Sequence, residues 1–273
     1  MTSKIINPPL KWPGGKRTVM GFINQHFPEG RRLIEPFVGG GSVFLNAGFD
    51  RNLLNDVNPD LINFYRQLVA GGAGFVEMAR ELFSKNSEGE YYDIREKFRA
   101  RDSAPDIQAA YFLYLNRHCF NGLVRYNQAG AFNVGYGKYK APHFPEAEML
   151  ALIQMAGLRE LAFVCGDFDS VIEEAGDGDV VFCDPPYEPM PDKNGFTAYS
   201  GATFSFADQE RLTRLLIAAT ERGARVMITN SGAPKILELY HNNGFTQRRL
   251  SARRSISCSD SGRETVSDVL AII

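Results

Sequence analysis

The feature that most restricts how this chain can fold is the run Val180-Val181-Phe182-Cys183, followed at once by Asp184-Pro185-Pro186-Tyr187. Four apolar residues, two of them β-branched, suit a strand buried on both faces. Two successive prolines donate no N–H to a sheet ladder, so the chain must leave the sheet there. A carboxylate is thereby set at the mouth of a buried strand, with the Pro185 carbonyl beside it and an aromatic ring close behind. Two outward acceptors can hold both hydrogens of an exocyclic amine, and Tyr187 can stack on the ring that bears it. That array fits a nucleobase drawn out of its stack. A Pro-rich turn whose Asp merely caps is the plainer reading of the same four residues.

Other apolar, β-type runs at residues 33–37, 53–54, 161–165 and 226–229 alternate with helical stretches and read as further buried, parallel strands of an open α/β sheet. The clearest helix spans about residues 208–222, with Leu212, Leu215, Leu216 and Ala219 on one face, Ser205 and Asp208 as a capping box and Gly223 as its stop. Residues 245–250 and 266–273, separated by a polar stretch with Gly262, predict a closing antiparallel hairpin. Between residues 59 and 144 the alternation stops and the chain turns helical, charged and aromatic, which predicts an insert dividing a domain made of 1–58 and 145–273. Its best helix, residues 106–117, places Ile107, Ala110, Tyr111 and Tyr114 at core spacing, with Ser103 ahead as a cap. A hairpin is expected around residues 128–130.

Glu35-Pro36-Phe37-Val38-Gly39-Gly40-Gly41-Ser42 leaves the first strand with glycines where the backbone must turn tightly and let a ligand approach. Asp56, about 20 residues on at the end of the second strand, suits ribose hydroxyls. The glycine spacing departs from the dinucleotide fingerprint and no Walker lysine follows. In a doubly wound sheet all three motifs face one crevice at the carboxyl ends of the strands. Upstream, Lys11-Trp12-Pro13-Gly14-Gly15-Lys16 sets the single tryptophan beside two glycines and two lysines; Trp12 and Lys16 read as cofactor contacts or as a packed helix-entry turn.

The 273 residues carry a net charge of −2, yet their basic residues are grouped rather than spread: Arg95, Lys97, Arg99 and Arg101; Arg117, Arg125, Lys138 and Lys140; Arg248, Arg249, Arg253 and Arg254. Phosphate binding depends on local potential, so the overall sign does not exclude a nucleic-acid partner. Cys119, Cys165, Cys183 and Cys258 form no close pairs, which argues against a zinc site or disulfide scaffold and for a reducing cytoplasm. No apolar stretch is long enough to cross a bilayer, and residues 1–9 lack a signal-peptide core.

These blocks, in this order, with Arg253-Arg254-Ser255-Ile256-Ser257 in the tail, resemble the Dam type of DNA adenine-N6 methyltransferases from Lys11 to Ile273. The resemblance implies a Rossmann-like, seven-stranded methyltransferase sheet with an inserted helical and β-hairpin DNA-recognition domain. It also implies S-adenosylmethionine as donor, S-adenosylhomocysteine as product, no metal, duplex DNA read at GATC, and no obligate protein partner. Position by position, it places Trp12, Lys16, Phe37, Gly39, Gly41, Asp56 and Asp184 at the cofactor, with Asp167 and Phe168 beside its adenine. Asn121-Gly122-Leu123-x-Arg125-Tyr126-Asn127 is similar to the family's recognition hairpin. Leu123 and Arg125 are then expected to read bases, Lys11 and Tyr139 to assist at the first base pair, and Asn121 to enter where the flipped base leaves. Phe120 is expected at the DNA as well, and Arg95, Arg117, Asn133 and Lys138 at its backbone. The chain departs from the family at Gly135, commonly proline, and at Phe120, commonly tyrosine, which loses a hydroxyl but keeps a ring.

The chemistry expected is direct transfer to adenine N6, with Asp184, Pro185, Pro186 and Tyr187 as the catalytic group. Acceptors at Asp184 and Pro185 would draw the amine toward tetrahedral geometry and stabilise its growing positive charge. Cytosine C5 chemistry needs a cysteine nucleophile, usually following proline, and no Pro-Cys pair occurs. Cytosine N4 transfer commonly has Ser in place of this Asp, and protein-glutamine transfer Asn. A nicotinamide-dependent oxidoreductase on a similar sheet and a nonenzymatic DNA-binding regulator are the readings from other classes.

Overall fold

The structure is a computed structural model that describes residues 5–187, 204–250 and 268–273. Seven strands are described: β1 (Arg32–Glu35), β2 (Arg51–Asp56), β3 (Glu160–Cys165), β4 (Asp179–Cys183), β5 (Arg225–Ser231), β6 (Thr246–Leu250) and β7 (Asp268–Ile272). They form one sheet in the order β3-β2-β1-β4-β5-β7-β6. The first five pair in parallel, and β7 runs antiparallel to both β5 and β6. This is the doubly wound, Rossmann-like methyltransferase topology expected from the sequence. The order reverses between β1 and β4, so chain segments leaving their carboxyl ends diverge and open a crevice there.

The two-residue period of a strand divides the apolar residues between two cores. Leu33, Val180, Phe182, Met227 and Leu270 enter one, while Ile34, Val181, Cys183, Ile228 and Val269 enter the other. Helices α1 (Met20–Asn24), α3 (Pro59–Phe83), α5 (Pro105–His118) and α6 (Glu146–Ala156) cover the first face, with α4 (Glu88–Ala100) outside α5. Helices α7 (Phe168–Glu173), α8 (Phe206–Glu221) and α9 (Pro234–Asn242) cover the second. The short helix α2 (Phe44–Ala47) follows the glycine loop. The first core runs unbroken from Leu33 and Val180 in the sheet to Phe98, Leu113 and Phe132, so segment 59–144 packs directly on the sheet layer.

Local rules explain most boundaries. Asn58 caps α3 by accepting from the Asp60 and Leu61 N–H groups, Pro59 follows at the first helical position, and Gly72 interrupts the helix with non-helical dihedrals. The capping box of α8 forms as expected: Ser205 Oγ accepts from Asp208 N, and Asp208 Oδ2 accepts from Ser205 N. Two expectations need correction. Ser103 does not cap α5, whose preceding residue is Ala104 with no side-chain bond; Pro105 starts that helix instead. Ile107 is exposed rather than in the core, because the buried apolar positions are Ala109, Ala110, Phe112, Leu113, Tyr114 and Leu115, nearly a full circumference. The hairpin expected around residues 128–130 forms: Asn127 N donates to Ala131 O and Asn133 N to Arg125 O on either side of an antiparallel bridge between Tyr126 and Phe132, and Asn127 Oδ1 accepts from Ala129 N and Ala131 N. The closing hairpin exists as β6 and β7, but Gly262, Val266, Cys258 and the Arg253 to Ser257 block lie outside the described residues.

Candidate active site

Asp184 leaves β4 at the crevice, and both of its oxygens are engaged. Oδ2 accepts from Lys16 Nζ at 2.5 Å, and Oδ1 accepts from Thr229 Oγ1 at 2.8 Å. The Lys16 side chain is only 7% exposed, against 22% for Asp184, so the pair sits at the crevice wall with the carboxylate toward solvent. Lys16 also donates to Gly14 O at 2.7 Å, and its ammonium lies 5.0 Å from the centre of the Tyr187 ring. Pro185 is buried, Pro186 exposed and Tyr187 half-buried, so the ring forms part of the wall. Burial pushes the Tyr187 hydroxyl pKa far up, with the Asp184 and Asp268 charges adding to it.

The glycine loop brings its own backbone to this wall. Gly39 and Gly41 have φ of +47° and +80°, the left-handed region that costs glycine nothing. A Cβ on Gly39 would stand 3.0 Å from the indole of Trp12, and one on Gly40 2.8 Å from Trp12 Cβ. Asp56, at the end of β2, fixes the loop by accepting from Gly39 N at 3.1 Å and from Asn58 N at 3.0 Å. Burial raises its pKa, and the N–H groups of Asn58, Gly39 and Val57 oppose that shift. On the far side of β1 the rings of Phe37 and Phe168 lie 5.3 Å apart, and Arg211 covers Phe168 at 4.1 Å while pairing with Asp167 and Asp169. Trp12, Lys16, Gly39, Gly41 and Asp56 thus converge with Asp184 on one crevice edge, and Phe37, Asp167 and Phe168 gather beside it.

Two residues at this edge had no assigned role from sequence. Thr229, a polar residue ending the apolar run of β5, orients Asp184. Glu35 ends β1 fully buried; burial pushes its carboxyl well above the usual range, the Phe44 N–H opposes that and the Asp184 charge adds to it. Among the described residues its Oε1 has no hydrogen-bond partner. Its signal was an acid closing an otherwise apolar strand, the same signal that marked Asp184.

In the insert, Phe120, Asn121, Arg125 and Lys138 are exposed, with Leu123, Asn133 and Tyr139 half-buried beside them. Arg125 Nε donates to Asn133 Oδ1 at 2.9 Å, which links the two arms of the expected hairpin. Lys11 lies 4.5 Å over the Tyr139 ring, and Tyr139 Oη accepts from Asn121 N. Burial lowers the Lys11 pKa, and nearby Arg117 adds to the shift. Below the hairpin, Asp60 accepts from Arg101 Nη1 and Nη2 and from the Tyr126 hydroxyl, the last at 2.6 Å. Two cations are not placed as outward contacts. Arg117 is buried and donates from Nε and Nη2 to Pro9 O, and burial pulls its pKa down to about 10. This corrects the reading of Arg117 as a phosphate contact: its guanidinium ties down the segment before Lys11. Arg95 is half-buried, on the Tyr92 ring and beside Val134 O and Glu96.

A family model described as D12 class N6 adenine-specific DNA methyltransferase matches residues 12–256. The DNA N-6-adenine-methyltransferase of Escherichia phage P1 is 56% identical over 265 residues; the match covers 97% of this chain and 35% of the phage protein, so the chain spans about a third of that relative. The DNA adenine methylase of Vibrio cholerae serotype O1 is 41% identical over 266 residues, covering 96% of this chain and 94% of that protein. For the DNA adenine methylase of Escherichia coli K12 the figures are 40% over 265 residues, 96% and 94%. With its doubly wound sheet, its Asp-Pro-Pro-Tyr turn at the crevice and these matches along nearly its whole length, the chain belongs to the D12 class N6 adenine-specific DNA methyltransferase family.

Proposed function

We propose that this protein transfers a methyl group from S-adenosylmethionine to N6 of an adenine everted from duplex DNA, within GATC. The observation that carries the reading is the Asp184 carboxylate, held on both oxygens at the reversal point of the sheet, with Tyr187 beside it. Each carboxylate oxygen keeps acceptor capacity after one hydrogen bond, so Asp184 and the Pro185 carbonyl can together receive an amino group. Fixed acceptors at that point stabilise positive charge growing on nitrogen at no reorganisation cost. Tyr187 offers a ring against an unstacked base. The donor supplies an electrophilic methyl carbon when bound.

The residues present fit that donor. Asp56 supplies a fixed acceptor at the end of β2, Gly39 and Gly40 let Trp12 pack close against the loop, and the half-buried Phe37 ring offers a face to a flat heterocycle. Lys16 neutralises Asp184 in part. Residues 59–144 serve as the recognition segment, with Arg125 suited to a guanine edge in the major groove and Lys138 to a phosphate. Action on DNA, as the names of the bacterial and phage relatives describe, supports a cytoplasmic location; among the described residues no helix is long and apolar enough to cross a membrane.

Incubation with S-adenosylmethionine and plasmid, followed by methylation-sensitive nucleases, tests the reading. Protection at GATC is expected. Protection at a different adenine-containing site would refute the base-reading assignment and keep the chemistry, and DNA without N6-methyladenine on hydrolysis would overturn both.

A further inference from the structure

The turn that presents the amine acceptors cannot hold itself in place. Pro185 and Pro186 have no N–H, so the turn offers carbonyls and almost no donors, and its fixation must come from donors elsewhere. One arrives from α8: Gln209 Nε2 donates to Pro186 O at 2.9 Å. Gln209 is 1% exposed, and its place on the helix is set by the capping box four residues earlier.

A buried primary amide can face either way, and here its direction is dictated. Ser231 N donates to Asn230 Oδ1 at 2.8 Å, and a backbone N–H can only donate, so the Asn230 amide has a fixed orientation. Its Nδ2 therefore points away, donating to Gln209 Oε1 at 3.0 Å and to Tyr240 Oη at 3.0 Å. With Oε1 used as acceptor, the Gln209 N–H groups must face Pro186. Asn230 and Tyr240 are fully buried, and Thr213 Oγ1 donates to the Gln209 backbone carbonyl at 2.8 Å. Three elements, α8, β5 and α9, send polar side chains through an otherwise apolar core to reach one carbonyl. A buried amide set is costly unless every member is paired.

We propose that Gln209 is a positioning residue for methyl transfer, oriented by Asn230, which holds the Pro186 carbonyl and so sets where Asp184 and Pro185 meet the amine. The inference rests on the methyltransfer reading above. Gln209 touches neither donor nor base; it acts through the turn.

The test is single-turnover methylation of a GATC duplex by the full chain, compared for the parent, Gln209→Leu and Gln209→Glu, with S-adenosylmethionine binding measured to count folded sites. Misplacing reacting groups by about 1 Å costs on the order of 10²-fold. The Leu variant is therefore expected to lose roughly 10- to 100-fold in the rate per folded site, with donor affinity little changed. Gln209→Glu keeps the shape and removes the donor. Its rate is expected to recover as pH falls and the carboxyl gains a proton to donate to Pro186 O, over a range where the parent rate does not rise. Rates per folded site equal to the parent's, or a Glu variant whose deficit ignores pH, would overturn the proposal. A parent that puts no methyl on adenine would overturn the methyltransfer reading and this inference with it, and that outcome is visible before any variant is made.

Discussion

The crevice edge and the hairpin at residues 125–133 are built on opposite plans. At the crevice, functional side chains are locked by one another: Asp184 between Lys16 and Thr229, and Asp56 between the Gly39 and Asn58 N–H groups. At the hairpin, Asn121 and Arg125 stand in solvent with few bonds and Leu123 is half-buried beside them, and the locking happens one layer down, where Asp60 holds Arg101 and Tyr126. A reacting group must be placed to a fraction of an ångström, so rigidity belongs in the side chain itself. A base reader can be held by its backbone and completed by the DNA.

That contrast can be broken from the crevice side first. Asp184→Ala should reduce methyl transfer by on the order of 10³-fold while DNA binding survives, as removal of a fixed charge-stabilising group does. It should also cost about 3 kcal/mol of stability, because Lys16 is left buried without its partner. Radiolabelled transfer, gel shift and urea denaturation measure the three effects, and a fully active variant would end the assignment of Asp184.

On the insert side, Arg125→Ala should lower discrimination at one base pair by roughly 10- to 100-fold, the ~1–3 kcal/mol of a bidentate guanine contact, and leave the rate on the weakened sites nearly intact. Competition between GATC and singly altered duplexes reads this out. Equal losses on all sequences would make Arg125 a phosphate contact instead.

Acid should weaken the insert through His118, which is fully buried and stacked 3.7 Å from the Tyr114 ring. Burial pulls its pKa from the usual 6.5 down to about 4, opposed by its bond to Tyr114 O and aided by the Lys11 charge. Between those pH values the unfolded chain binds a proton that the native state refuses. Stability therefore falls as pH drops from 6.5 toward 4, at up to about 1.4 kcal/mol per pH unit, and no further below. His118→Gln should flatten that slope in denaturation midpoints measured against pH.

The smallest effect separates a real cap from an expected one. Ser205→Ala should cost about 1 kcal/mol, and Ser103→Ala less than about 0.5 kcal/mol, in chemical denaturation.

Much of this was legible in the sequence wherever burial and charge collide. Asp184 and Glu35 each end an apolar run, and strands announce themselves by short apolar length. What sequence could not show is which distant group answers each charge: Lys16 and Thr229 meet Asp184 across the sheet, from separations that no local pattern encodes. Arg117 was misread for the same reason. Helix α5 is buried around nearly its whole girth toward its end, so it has no polar face to say which cations reach solvent. Gln209 carries no signal in the sequence, since its role exists only through the Pro186 carbonyl it meets.

Strand β7 lies between β5 and β6, although its residues follow both in the chain. During translation β5, which carries Thr229 and Asn230, therefore waits with a bare edge until residues 268–272 leave the ribosome, and β6 has nothing to join before then. A nascent chain stopped after Leu250 would show sticky, unpaired backbone rather than a smaller working enzyme. Premature termination should thus yield aggregates for proteolysis, and genome modification would begin only after synthesis has passed that last central strand.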